Sequence, residues 1–315
     1  MARYLLSRLA GMILVLLVVS FITFALMYNA PGGPYQELNQ PLSAEAKANI
    51  TRKYGLDKPF YQNWWDWLTR AVRGDFGISY FYPNTKVLDL FWRHWGSSLM
   101  LGFLSVAWSF PLGALLGVVA ALKRNTLLDQ AITTFALISV TLPQISLIVF
   151  GVAVFIVWLG WFNLNNGLPL YAQPPNMWVL PAILFGFNTL GALMRYTRSG
   201  MLDVLSQEYI RTARAKGLGR ARVILKHALR NMLIPLVTVF GPVLANALTG
   251  SIFVEIAFAI PGIGRFFLES IYNRDYPVIV FTVIITATIV STTNLLIDLS
   301  YALIDPRVRL GGRHA

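Results

Sequence analysis

Residues 130–194 read QAITTFALISVTLPQISLIVFGVAVFIVWLGWFNLNNGLPLYAQPPNMWVLPAILFGFNTLGALM. These 65 residues contain no Asp, Glu, Lys or Arg. A helix rises about 1.5 Å per residue and needs about 20 residues to cross roughly 30 Å of hydrocarbon, so the run is too long for one crossing. Residues 163–176, rich in Asn, Pro and Gly, divide it into two. Further uncharged runs fill 11–30, 95–122, 231–254 and 276–297. The pattern predicts an all-α integral membrane protein with six spans, near 9–28, 97–122, 132–161, 178–194, 233–254 and 278–304. Only 13% of the 315 residues are charged, about half the share in a soluble domain. A soluble enzyme, a disordered chain and a secreted disulfide scaffold are thereby excluded. The first apolar stretch has a basic start at Arg3 and Arg8, but it is longer than the core of a signal peptide and reads as an uncleaved anchor.

The absences narrow the chemistry. There is no cysteine, and His94, His227 and His314 are too far apart in sequence to form a helical metal pair. No G-x-x-x-x-G-K-[ST] phosphate loop occurs, so no catalytic residue, metal or cofactor is expected on this chain and any ATP chemistry belongs to partners. The net charge of +12 sorts by side of the membrane. With the N-terminus inside, the inner segments hold 16 bases and four acids, the outer loops ten bases and nine acids. The excess is an orientation signal, placing both termini in the cytoplasm, and does not point to nucleic acid. Residues 29–96 then form a long extracytoplasmic loop.

The cytoplasmic segment 195–232 carries nine bases, which cannot lie in hydrocarbon. Within it, Glu208, Tyr209, Ile210, Arg211, Thr212, Ala213, Arg214, Ala215 and Lys216 are mostly good helix formers, and Gly217 is placed to end the helix in a left-handed cap. Ile210, Ala213 and Gly217 at i, i+3 and i+7 make a narrow, small-sided face flanked by Arg211, Arg214 and Lys216. Such a face can seat in a groove of another protein; alternatively, the helix is a solvated element whose charges only enforce topology. A second helical stretch, 220–232, leads back into the fifth span.

This loop resembles the coupling loop of permease subunits in ATP-binding-cassette (ABC) importers, whose E-A-A-x-x-x-G pattern falls on Arg211, Thr212, Ala213 and Gly217, with Ala213 and Gly217 agreeing. YIRTARAKGL followed by HALRN and Pro235 is similar to the dipeptide/oligopeptide branch. So, in order, are PGGP at 31–34, KYGLDKP at 53–59, GDFGIS at 74–79, AALKRNTLLDQ after the second span, IPGIGRFF at 260–267, NRDYP at 273–277 and DLSYALIDPRVR at 298–309. The resemblance implies a six-helix ABC importer permease fold in the bacterial cytoplasmic membrane. It further implies that the chain forms half of a peptide path with a second homologous permease, two cytoplasmic ABC ATPases and an extracytoplasmic peptide-binding protein. Residues 208–217 become the ATPase-coupling element. Relatives carrying nickel or another small solute leave that substrate open, and an ion-driven secondary transporter is the rival from another class. That rival predicts inverted repeats and several intramembrane polar groups; the sequence offers one span carboxylate, Asp298, for which a structural role is expected, either a hydrogen bond across the bundle or a paired charge near the coupling loop.

Two helices are expected in the outer loop: 44–54, capped by Ser43, and 60–73, opened by Pro59 and ended by Gly74. The second carries Trp64, Trp65 and Trp67, which suit either a headgroup-depth helix or a lid for the binding protein. Pro111, Pro143, Pro181, Pro235 and Pro242 interrupt the spans, and Gly113 and Gly117 are spaced for close helix packing.

Overall fold

The computed structural model describes residues 2–29, 58–164 and 174–304, and among them only helices, turns and one isolated bridge occur. The helices are α1 (Ala2–Asn29), α2 (Phe60–Ala71), α3 (Val87–Leu122), α4 (Leu127–Thr141), α5 (Gln144–Gly151), α6 (Asn176–Ser206), α7 (Glu208–Ala215), α8 (Leu229–Thr249), α9 (Ile252–Ala257), α10 (Ile263–Tyr272) and α11 (Tyr276–Ile304). A π-helical stretch, Val152–Trp158, extends α5, and Arg220–Arg222 followed by π-helical Val223–Ala228 leads into α8. Five helical segments are long and apolar enough to span a membrane, and α4 with extended α5 makes a sixth if the bent pair counts as one crossing. The helix expected over 44–54 lies outside the described residues.

The expected span 132–161 is not one rod. It bends by 100° between α4 and α5. Pro143 supplies no amide hydrogen and pushes the preceding residue out of helical geometry; Leu142 accordingly sits at ψ 124°. The freed carbonyls find a partner on α6: Asn188 Nδ2 donates to Ser139 O at 3.0 Å and to Leu142 O at 3.2 Å. Pro111 and Pro181 lie inside continuous helices.

The other spans shift at their ends. α3 begins ten residues before 97, because Val87, Leu90 and Phe91 turn inward against Ile263, Phe266, Val278 and Phe281 while Asp89 and Arg93 carry the charge that hid this turn from a hydropathy reading. α6 continues past 194 to Ser206, so the segment 195–232 is mostly helix and the loop proper is short. The helix expected to reach 254 ends at Thr249, where Gly250 takes φ +77° and Ser251 caps the separate α9.

α3 and α6 form the centre. A Cβ on Gly113 would lie 2.8 Å from Leu193 Cβ, and one on Gly117 2.6 Å from Thr197 Cβ, so the glycine pair serves a contact inside the chain. Gly191 on the opposite side of α6 admits α4 in the same way, its Cβ position 2.7 Å from Ala136 O. α1 stands apart, packed on α11 and α2. Gly117→Val should lower the Tm of the detergent-solubilised protein, corresponding to about 1–3 kcal/mol of overpacking. Gly11→Val, where nothing lies within 4 Å, should leave it unchanged.

Candidate functional site

α7 follows α6 after a single extended residue, Gln207 (ψ 148°), which reverses the chain and accepts a hydrogen bond from the Ile210 amide at 3.1 Å. Its end is a Schellman closure. Gly217 takes φ +75°, its amide donates to Arg214 O at 3.0 Å, and Leu218 N–H donates to Ala213 O at 3.4 Å. The left-handed cap expected at Gly217 is therefore present. It lets Leu218 fold back beside Ala213 onto the same apolar cluster.

The face expected to seat in a partner is turned the other way. Ile210 (0% exposed) and Ala213 (6%) are buried within this chain, against Ala121 of α3, Met201 of α6 and Val223 ahead of α8. Eight residues of helix cannot hold themselves in water, and this anchoring fixes α7 to three long helices. The outward side carries Glu208, Tyr209, Arg211, Thr212, Arg214, Ala215, Lys216 and Gly217, all exposed. Spacing showed a small-sided face correctly but not whether it belonged to the chain's own core.

A buried ion pair braces the base of this element. Arg198 of α6 clamps Asp129 of α4 with two bonds, Nε to Oδ1 at 2.6 Å and Nη2 to Oδ2 at 2.8 Å. Asp129 keeps 4% of its side-chain surface, and its remaining capacity is used by the Asn125 amide at 3.0 Å and Thr133 Oγ1 at 3.3 Å. The parallel fork suits guanidinium and carboxylate alone.

At the opposite end, two acids that composition left among the outer-loop charges are buried. Glu255 of α9 is wholly enclosed; Ser98 Oγ donates to Oε1 at 2.7 Å and the Arg265 amide to Oε2 at 3.0 Å. The carboxylate thus caps α10 from a distance, where the helix N-terminus favours negative charge. Gly262 is required there, since a Cβ would collide with the Glu255 carboxylate. Asp275 precedes α11 and binds Ser79 Oγ and the amides of Tyr80 (2.9 Å) and Phe81 (3.4 Å). Burial pushes its carboxyl above the usual range, opposed by these hydrogen bonds. Asp298 pairs with Arg8 of α1 at 2.8 Å, a charge pair between α1 and α11 in keeping with the structural role expected of it. Among the described residues no cluster of metal-ligating side chains occurs.

Residues 113–310 match the family described as binding-protein-dependent transport system inner membrane component, and residues 1–81 match the N-terminal region of the same systems' membrane component. The chain belongs to this family. It is 39% identical over 310 residues to a dipeptide transport system permease protein of Bacillus subtilis, covering 98% of this chain and 99% of that protein. An oligopeptide transport system permease protein of the same organism is 36% identical over 315 residues, with 98% and 99% covered. A glutathione transport system permease protein of Escherichia coli (strain K12) is 35% identical over 310 residues, again with 98% and 99% covered. Among solved structures, a chain of the MetNI methionine ABC transporter in an inward-facing form shares the fold with a TM-score of 0.50 at 17% identity, over 70% of this chain and 96% of that one. The permease therefore has the ABC importer permease fold and is a multi-pass membrane component.

Because the space beside Gly217 is open, its backbone angle is what matters. Gly217→Val should cost roughly 1–2 kcal/mol and Gly217→Asn less, measured by thermal unfolding. Asp129→Ala should cost roughly 3 kcal/mol, since it leaves Arg198 without its counter-charge. An Asp129→Arg, Arg198→Asp exchange should not restore stability, because the Asn125 amide would then face a cation.

Proposed function

We propose that this permease is the membrane subunit of an ATP-driven importer of di- or oligopeptides. It forms half of the path with a second homologous permease and is driven by two cytoplasmic ABC ATPases that hydrolyse the ATP. A peptide-binding protein on the outer side delivers the substrate. Both termini lie in the cytoplasm, in keeping with the base-rich inner segments. The peptide assignment rests on the names of the relatives, which include dipeptide, oligopeptide and glutathione permeases.

The observation that carries the coupling reading is the two-sidedness of α7. One side is locked to α3, α6 and the approach to α8 by Ile210 and Ala213, and the other is bare. The ATPase is gripped by Tyr209, Arg211, Thr212, Arg214, Ala215 and Lys216, while Gly217 sets the end of the helix and Glu208 its start. Force on α7 passes into α6 directly and into α4 through Asp129 and Arg198. ATP closure at one end and substrate at the other then bias the same two-state element.

Ala215→Trp, on the bare side, should reduce co-purification of the ATPase subunits by about tenfold and abolish peptide-stimulated ATP turnover, with Tm unchanged. Ile210→Ala should lower Tm first. Wild-type association of the Ala215→Trp variant would overturn the coupling assignment. Chain-dependent uptake of nickel without uptake of a labelled dipeptide would overturn the peptide reading.

A further inference from the structure

The amphipathic helix α2 does more than lie against the bundle. Pro59 opens it, and its inner side packs on the last turns of α1: Trp64 Nε1 donates to Ser20 Oγ at 3.0 Å, and the Phe21 and Trp64 rings meet edge to face at 5.3 Å. Between α1, α2, the 76–80 segment and the start of α11 lies a cavity of about 260 Å³. Its walls include the apolar rings of Phe24 and Phe76 and the donor-bearing side chains of Tyr28, Asn63, Trp67 and Arg70. The cavity sits at the end of the bundle opposite α7 and at its edge, since α1 packs on α11 and α2 and away from the α3–α6 centre.

Two observations say what the cavity accepts. Trp67 lines the cavity at 6% exposure, and its buried indole N–H has no hydrogen-bond partner. Arg70 donates its Nε–H to the Asp66 carbonyl at 3.2 Å, and the Asp66 carboxylate is already taken by Lys58 at 2.7 Å. Arg70 makes no ion pair among the described residues. A cation, an orphan donor and aromatic walls call for an anionic, acceptor-rich group with an apolar continuation. The surroundings supply that continuation: Ile22 and Leu26 of α1, Trp65 of α2 and Val72 just after it are exposed beside the site, as lipid-facing and headgroup-level side chains are.

We propose that this cavity is a phospholipid site, taking the phosphate and glycerol of one lipid from the leaflet opposite the coupling helix. Its acyl chains run down the exposed side of α1. The volume fits a phosphoglycerol group and not a whole lipid. The bound lipid adds to the direct contacts that α1 makes with α2 and α11, and it would hold the outer end of α1 in place during turnover.

The test uses the full chain, purified with the subunits it assembles with in mild detergent and washed extensively, with phospholipid per chain counted by mass spectrometry after denaturation. Wild type should retain about one phospholipid, Arg70→Gln should retain about tenfold less, and Arg73→Gln should match wild type. Trp67→Phe, which keeps the ring and removes the N–H, should lower retention by a smaller factor. A photoreactive side chain at position 27, on the cavity wall, should label phospholipid in native membranes. Equal retention in the Arg70→Gln and Arg73→Gln proteins would overturn the proposal. So would cross-links from position 27 that run only to residues 30–57 of the same chain or to a transported peptide. Neither result would touch the coupling assignment, which is read at α7.

Discussion

Three glycines let α6 touch its neighbours backbone to backbone: Gly113 and Gly117 of α3 on one side, and its own Gly191 against α4 on the other. In hydrocarbon, apolar side chains gain little from meeting one another, because lipid is as apolar as they are; close van der Waals contact and interhelical hydrogen bonds must supply the cohesion. The same seam provides both. Asn188 of α6 stitches the broken end of α4, and Arg198, ten residues on, holds its charged beginning. The bend at Pro143 is tolerable because α6 satisfies the carbonyls that the bend releases. α3, α4 and α6 thus behave as one body.

The short helix α7 inherits its properties from that body. A free helix of eight residues would be marginal in water, yet α7 is held by Ile210 and Ala213 in a core shared with α3, α6 and the segment before α8. Its rigidity is borrowed. The Schellman closure at Gly217 keeps Leu218 in the same core, so the chain leaving α7 is anchored together with it. The opposite end uses a different device. Buried carboxylates at Glu255 and Asp275 tie short helices and loops together by accepting backbone amides, which suits a region where the chain reverses several times and helix ends need partners.

What could be read from residues alone follows the physics that acts locally. The number of apolar stretches, the gathering of bases between the fourth and fifth of them, and the end of α7 at Gly217 depend on hydropathy, charge and backbone angle, which are properties of short stretches. The helix starts were misjudged where charged and apolar residues share a turn: Asp89 and Arg93 conceal that Val87, Leu90 and Phe91 are core. Pro143 was visible as an interruption, but five prolines were visible alike, and only the one whose freed carbonyls meet Asn188 gives a 100° break.

The sequence by itself determined that this chain lives in a membrane, that its spans are six or nearly so, and that a short basic helix with one small-sided face hangs between the fourth and fifth. It could not decide which way that face turns, because a pattern of Ile210 and Ala213 is the same whether the groove belongs to a partner or to the chain. Nor did it separate Glu255 and Asp275 from the solvated acids around them. Those facts depend on contacts between residues distant in sequence, such as Ser98 with Glu255 and Asp129 with Arg198, and tertiary packing alone brings such pairs together.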